Sequence, residues 1–132
     1  MELKLKGTTE IIIKAFYEVY NELGFGFLEK VYQKALLMEL HHLGLSCESQ
    51  KKIKVFYKGT EIGEYFPDII VDDSVVLELK AMESIAPEHE YQLINYLKST
   101  EIEIGLLLNF GKRPEFRRKV FANERKRKSN PR

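Results

Sequence analysis

The sequence predicts an α/β (α+β) domain: a mixed central β-sheet flanked by helices, in the order α-α-β-β-β-α-β with a short extra strand at the end. Three observations carry this expectation. Apolar residues recur at helical spacing over residues 8–44 and switch to alternation from residue 52 onward. A third helical segment, "APEHEYQLINYLKST", is set between two apolar, strand-like runs. The run that follows it, "IEIGLLLNFG", is apolar on both faces, as befits a central strand.

Each element has its local reason. In "TTEIIIKAFYEVYNELG" the stripe is Ile12, Phe16, Val19 and Leu23, with Thr8 or Thr9 as the expected cap and Gly24 as the left-handed stop. "FLEKVYQKALLMELHHLG" repeats the design after a Gly-Phe-Gly turn; its stripe is read through Leu28, Val31, Ala35 and Met38, and Gly44 closes it. "KIKVFYKG" alternates with Ile53, Val55 and Tyr57 on one side, and Lys58, Gly59 and Thr60 make a turn. "EIGEYFPDIIVD" reads as one strand and "SVVLELKA" as the next, linked near Asp72, Asp73 and Ser74. Pro87 suits the first turn of the third helix. "RRKVFA" is the candidate last strand. The expected organisation is one domain over residues 1–122 followed by a basic tail, 123–132.

Composition narrows the function classes. At 132 residues and 44% apolar, the chain can bury one real core. No apolar run approaches the roughly 20 residues of a membrane span, and the first residues lack the pattern of a secretory signal. One cysteine, Cys47, precludes an intramolecular disulfide, and three His with one Cys make a poor structural zinc site. A cytoplasmic protein without membrane contact is the expectation. Net charge hides a division: residues 1–111 hold 11 Lys against 18 acidic residues, whereas residues 112–132 hold 10 Lys or Arg against Glu115 and Glu124. Arg113, Arg117, Arg118, Lys119, Arg125, Lys126, Arg127 and Lys128 form either a solvated tail or a phosphate-binding arm, and the sequence leaves both open.

The stretch "FPDIIVDDSVVLELKA" raises the chemical question. With a three-residue turn at residues 72–74, Val71 pairs with Val75 and Asp68 falls opposite Glu78, with Lys80 on the same face. Like charges directly opposed on a sheet destabilise it, and burial adds to the cost. Either Lys80 neutralises them or a divalent cation does. Oxygen ligands from two carboxylates suit Mg²⁺ or Mn²⁺, and the backbone carbonyl of Leu79 lies where it can join them. A structural carboxylate–lysine pair at a sheet rim is the plain alternative.

"PD", nine residues, then "ELK" resembles the core signature of the PD-(D/E)XK nuclease superfamily. "GFLEKVY", residues 26–32, matches the Gly-x-x-Glu-x-x-Tyr signature of the GxxExxY protein family. "HEYQLINYL" is similar to the Gln-x-x-x-Tyr helix motif of RecB-like nucleases, and "IGLLLNFG" to the terminal strand. The four motifs stand in the family's order. The resemblance implies a restriction-endonuclease-like core and metal-dependent phosphodiester hydrolysis, in DNA by the superfamily's habit. It makes Glu29, Asp68 and Glu78 metal ligands and Lys80 the catalytic lysine. Gln92 and Tyr96 would orient the phosphate or the attacking water. By itself Glu29 reads as a helix-dipole partner, His89 is a weaker candidate on the same helix, and Tyr91 reads as packing. Two rival readings stand beside this one: a catalytically silent nucleic-acid-binding module acting with a partner protein, and an assembly protein dimerising through its apolar first helix.

Overall fold

The computed structural model describes residues 2–126, with side chains from residue 6 onward. Two helices, α1 (Glu2–Leu23) and α2 (Glu29–His42), precede strands β1 (Cys47–Ser49), β2 (Ile53–Tyr57), β3 (Thr60–Tyr65), β4 (Ile69–Val71) and β5 (Val75–Lys80). Helix α3 (Pro87–Lys98) crosses over to β6 (Ile104–Phe110), followed by β7 (Pro114–Val120) and a 3-10 turn, Asn123–Arg125. The main sheet has the order β1-β4-β5-β6-β7, with β5 and β6 parallel and the other neighbours antiparallel. Strands β2 and β3 form a separate two-stranded sheet. Among the described residues no helix is long and apolar enough to cross a membrane.

The period-2 alternation of β5 builds the layers. Val75, Leu77 and Leu79 bury against Phe16, Tyr32 and Leu36 of α1 and α2. Val76 turns the other way, into a smaller cluster with Leu93 and Leu97 of α3 and Leu107 of β6. Each such aliphatic side chain contributes roughly 1.5–3 kcal/mol by leaving water. All seven residues of β6 are buried, as its two-sided apolar pattern predicts for the strand between β5 and β7.

Several expectations need correction. Helix α1 starts well before Thr8, and Thr9 bonds back to the Lys6 carbonyl from inside the helix instead of capping it. The buried stripe of α2 is Tyr32, Leu36 and Leu40; of the expected stripe, Ala35 packs against the core while Leu28, Val31 and Met38 are exposed, so the buried face is rotated from the expected one. Tyr32 decides the phase, because its ring stacks on buried Phe110 and its hydroxyl finds a backbone partner. The segment read as one strand breaks at residues 66–68 into β3 and β4, which belong to different sheets; Pro67 has no N–H for a ladder there. Strand β1 is an addition to the expected order, β7 starts earlier than "RRKVFA", and Tyr91 is exposed instead of packed. Arg127, Lys128 and the rest of the tail lie outside the described residues.

Candidate functional site

The hairpin between β4 and β5 adopts the expected register. Asp72 and Asp73 both take positive φ, and the Ser74 N–H closes the turn onto the Val71 carbonyl at 2.8 Å. Val71 therefore pairs with Val75 and Ile69 with Leu77. One step further back, the Asp68 N–H donates to Glu78 Oε2 at 3.0 Å, and the Leu79 N–H donates to Asp68 Oδ2 at 2.8 Å. Alternation along β4 and β5 puts Asp68, Glu78 and Lys80 on the face that carries α3.

Burial and mutual repulsion leave these carboxylates reluctant to ionise. Glu78 is pushed up to about 7, first by burial, then by the charge of Asp68 and, to a lesser degree, Glu29; the Asp68 N–H and Lys80 oppose the rise. Asp68 is also raised, chiefly by burial and then by Glu29, against the Leu79 N–H and Lys80. Glu29, Asp68, Glu78 and Lys80 thus share one electrostatic field. Lys80 acts on both carboxylates through its charge, and among the described residues no ion pair joins it to either. One turn beyond Glu29, Gln33 donates from Nε2 to the Asp68 carbonyl at 3.0 Å, which ties the start of α2 to the start of β4.

Helix α3 and the β2–β3 hairpin close the other side. Tyr96 stacks on Tyr65 with ring centroids 3.7 Å apart and planes at 14°. Burial, then the charge of Glu78, holds both phenols above their usual range. The Tyr65 hydroxyl is buried without a hydrogen-bond partner. Sequence reasoning missed Tyr65; its signal was an aromatic residue two positions before the "PD" pair. Gln92 is exposed one turn before Tyr96. His89 has a structural task, its Nδ1 accepting the Ala86 N–H at the helix start.

Asn109 was also missed. It is fully buried, faces Lys80 in the parallel β5–β6 register, and clamps the backbone just past that lysine. Its Oδ1 accepts the Met82 N–H at 3.0 Å and its Nδ2 donates to the Met82 carbonyl at 2.9 Å. Gly111 lets the same loop approach, since a Cβ there would stand 2.1 Å from the Met82 oxygen. The signal was a lone amide in the run "IGLLLNF".

Among the described residues, the predicted basic side chains are spread over several surroundings. Lys119 pairs with Glu90 of α3 at 2.6 Å and Arg117 with Glu115 at 3.0 Å. Arg118 falls on the opposite face of β7 by alternation. Arg113 lines a surface cleft with Lys112, Glu83 and Glu115. Arg125 lies over the Phe121 ring, and buried Lys126 donates from Nζ to the carbonyls of Thr100 and Ile102 at 2.7 and 2.9 Å.

Among the described residues no three His, Cys, Asp or Glu side chains are drawn close enough to hold a metal ion. One oxygen each of Asp68 and Glu78 is engaged by a backbone N–H instead. The donor set nonetheless fits a hard divalent cation: it is all oxygen, half-buried at Asp68 and Glu78 and exposed at Glu29, and carries more negative charge than Lys80 offsets.

No curated protein matches the sequence. The crystal structure of SSO0001 superposes with a TM-score of 0.58 at 15% identity, over 92% of this chain and 62% of that one. Such a likeness shows the fold, and this chain spans about three fifths of that protein's length. A family model described as the PD-(D/E)XK nuclease superfamily matches residues 6–119, a span that holds every acidic and lysine position of the site, and the chain belongs to the PD-(D/E)XK nuclease superfamily.

Proposed function

We propose that this protein is a GxxExxY-type nuclease that hydrolyses phosphodiester bonds, in DNA, with Mg²⁺ or Mn²⁺. The observation that carries the reading is the opposed, half-buried pair Asp68 and Glu78, each held by a backbone N–H and shifted toward its protonated form by burial, with Lys80 beside it on the same face. A stability-driven sheet has no use for this arrangement. Glu29, Asp68 and Glu78, with the Leu79 carbonyl, would hold the cation. When bound, it supplies charge neutralisation at the phosphate and an acidified water.

The chain's own groups do the rest. Lys80 presents its ammonium to the charge that develops on the scissile phosphate and positions the attacking water. Gln92 and Tyr96, one turn apart on α3, orient the phosphate and the water's hydrogen bonds. Asn109 keeps Lys80 aimed by fixing the backbone at Met82. Residues 1–122 carry the chemistry, and the basic segment 123–132 adds backbone affinity whose signature is a steep salt dependence. The cytoplasm is the proposed setting.

Cleavage of single-stranded, linear duplex and supercoiled DNA in Mg²⁺ or Mn²⁺, with a chelator control, tests the reading. Glu78→Ala should abolish metal binding. Lys80→Ala should keep metal binding and lose turnover by two orders of magnitude or more (roughly, by analogy with loss of one charge-stabilising donor). Cleavage unchanged in both variants sinks the assignment. A second reading, a silent nucleic-acid-binding module working with a partner protein, is favoured by the backbone N–H groups that engage one oxygen of each carboxylate. Nucleic-acid binding without cleavage in any metal would select it.

A further inference from the structure

The turn at residues 24–28 exposes more apolar surface than a connection needs. Phe25 is 57% exposed, Phe27 46% and Leu28 79%. Yet the turn is rigidly built. Gly24 and Gly26 take φ of +71° and +112°, a region that side chains disfavour. The Tyr32 hydroxyl donates to the Gly24 carbonyl at 2.6 Å and accepts the Phe27 N–H at 3.2 Å. Behind the turn runs an aromatic ladder: Phe27 meets Tyr32 edge-on at 6.0 Å, and Tyr32 stacks on Phe110 at 4.3 Å. The outermost ring of a packed ladder is therefore held out to solvent.

This surface adjoins the site through two segments of the backbone. Leu28 immediately precedes Glu29, the first residue of α2. The cavity beside the turn, about 380 Å³, is walled on its far side by Ala81 and Met82, which directly follow Lys80 and are clamped by Asn109. Lys112 and Glu83 also line it, one cation and one carboxylate. The apolar turn suits an occupant with a flat apolar face, and on the nuclease reading that face belongs to a chain whose phosphates run toward Lys112 and Lys80.

We propose that the turn at residues 24–28, with Phe25, Phe27 and Leu28, is a stacking platform for an unpaired nucleobase next to the scissile phosphate. This rests on the nuclease reading and adds to it a substrate class: single-stranded or locally melted nucleic acid. In a duplex the base faces are already covered by their neighbours. The turn also offers ring and methyl surface, suited to a base face and not to reading base edges. Because the ladder is already ordered, little side-chain freedom is lost when a base lands on it. The preference is for unpaired structure and is indifferent to sequence.

The test uses the full chain, a chelator to prevent cleavage, and single-stranded oligonucleotides carrying 2-aminopurine at successive positions. Wild type and Lys80→Ala should both quench the probe at one or two positions. Phe25→Ala and Leu28→Ala, at exposed positions that leave the fold intact, and Phe27→Ala should relieve the quenching. They should weaken single-strand binding on the order of tenfold and leave duplex binding unchanged. Binding without quenching at any position, or quenching that all three variants retain, overturns the platform while the nuclease reading stands on its cleavage data. Failure to bind any DNA, alongside failure to cleave it, overturns both.

Discussion

The two faces of β5 are made from the same six residues and behave as opposites. Toward α1 and α2 it sends Val75, Leu77 and Leu79, which join the larger, wholly apolar cluster. Toward α3 it sends Val76, Glu78 and Lys80, where a small apolar cluster gives way within one residue to a carboxylate pushed up to about 7. One face holds the fold, and the other spends part of that stability on an arrangement of charges. The two are separable because a strand alternates: neither face need compromise for the other.

Substitutions can test that separation. The largest effect is expected from Leu77→Ala on the apolar face, a loss of about 2–5 kcal/mol in urea unfolding. It should lower the unfolding midpoint without moving the pH profile of the site. Glu78→Gln should do the reverse. Its folded-state pKa lies above the ordinary 4.5, so in metal-free protein the folded state holds the proton more tightly than the unfolded one. The carboxyl then costs nothing below about pH 4.5, and the cost grows as pH rises toward 7 and levels above it. The glutamine variant should match wild type near pH 4.5 and exceed it above pH 7, by roughly 3 kcal/mol at the most. A stability difference that does not vary with pH would mean that Glu78 is solvated or paired. The smallest effect belongs to Tyr65→Phe. Its hydroxyl has no partner to lose, so stability should hold or rise by up to about 1 kcal/mol. A loss above that figure would reveal a hydrogen bond formed in solution.

How much of this was legible beforehand depended on whether the deciding interaction was local. The hairpin register was readable because turn length alone sets it: residues 72–74 place Val71 against Val75, and Asp68 against Glu78 follows. The buried character of β6 was readable from its unbroken apolar run. The phase of α2 was not, since Leu28, Val31 and Met38 make as good a stripe as Tyr32, Leu36 and Leu40. What distinguishes them is Phe110, almost eighty residues away, on which Tyr32 stacks. Strand β3 could not be told from β4 for a similar reason: partner choice is a tertiary fact, and only Pro67 marked the break. At the site, the acidic residues and Lys80 stood out as charges in an apolar run. Tyr65 and Asn109 did not, because an aromatic at a strand end and an amide in a strand are both common, and their importance lies in what they face.

The strand order carries one more consequence. The run "IGLLLNF" of β6 is seven residues long, uncharged and free of proline, the composition of a segment that stacks into fibrils when left bare. In the native sheet it is covered on one side by β5 and on the other by β7, whose sequence "PEFRRKV" opens with proline and carries three consecutive cations. The opposite border is β1, three residues long, too short to template another chain. Aggregation of this protein should therefore follow detachment of β7 ahead of global unfolding. The Lys119–Glu90 ion pair that fastens β7 to α3 is, in that light, a guard on solubility.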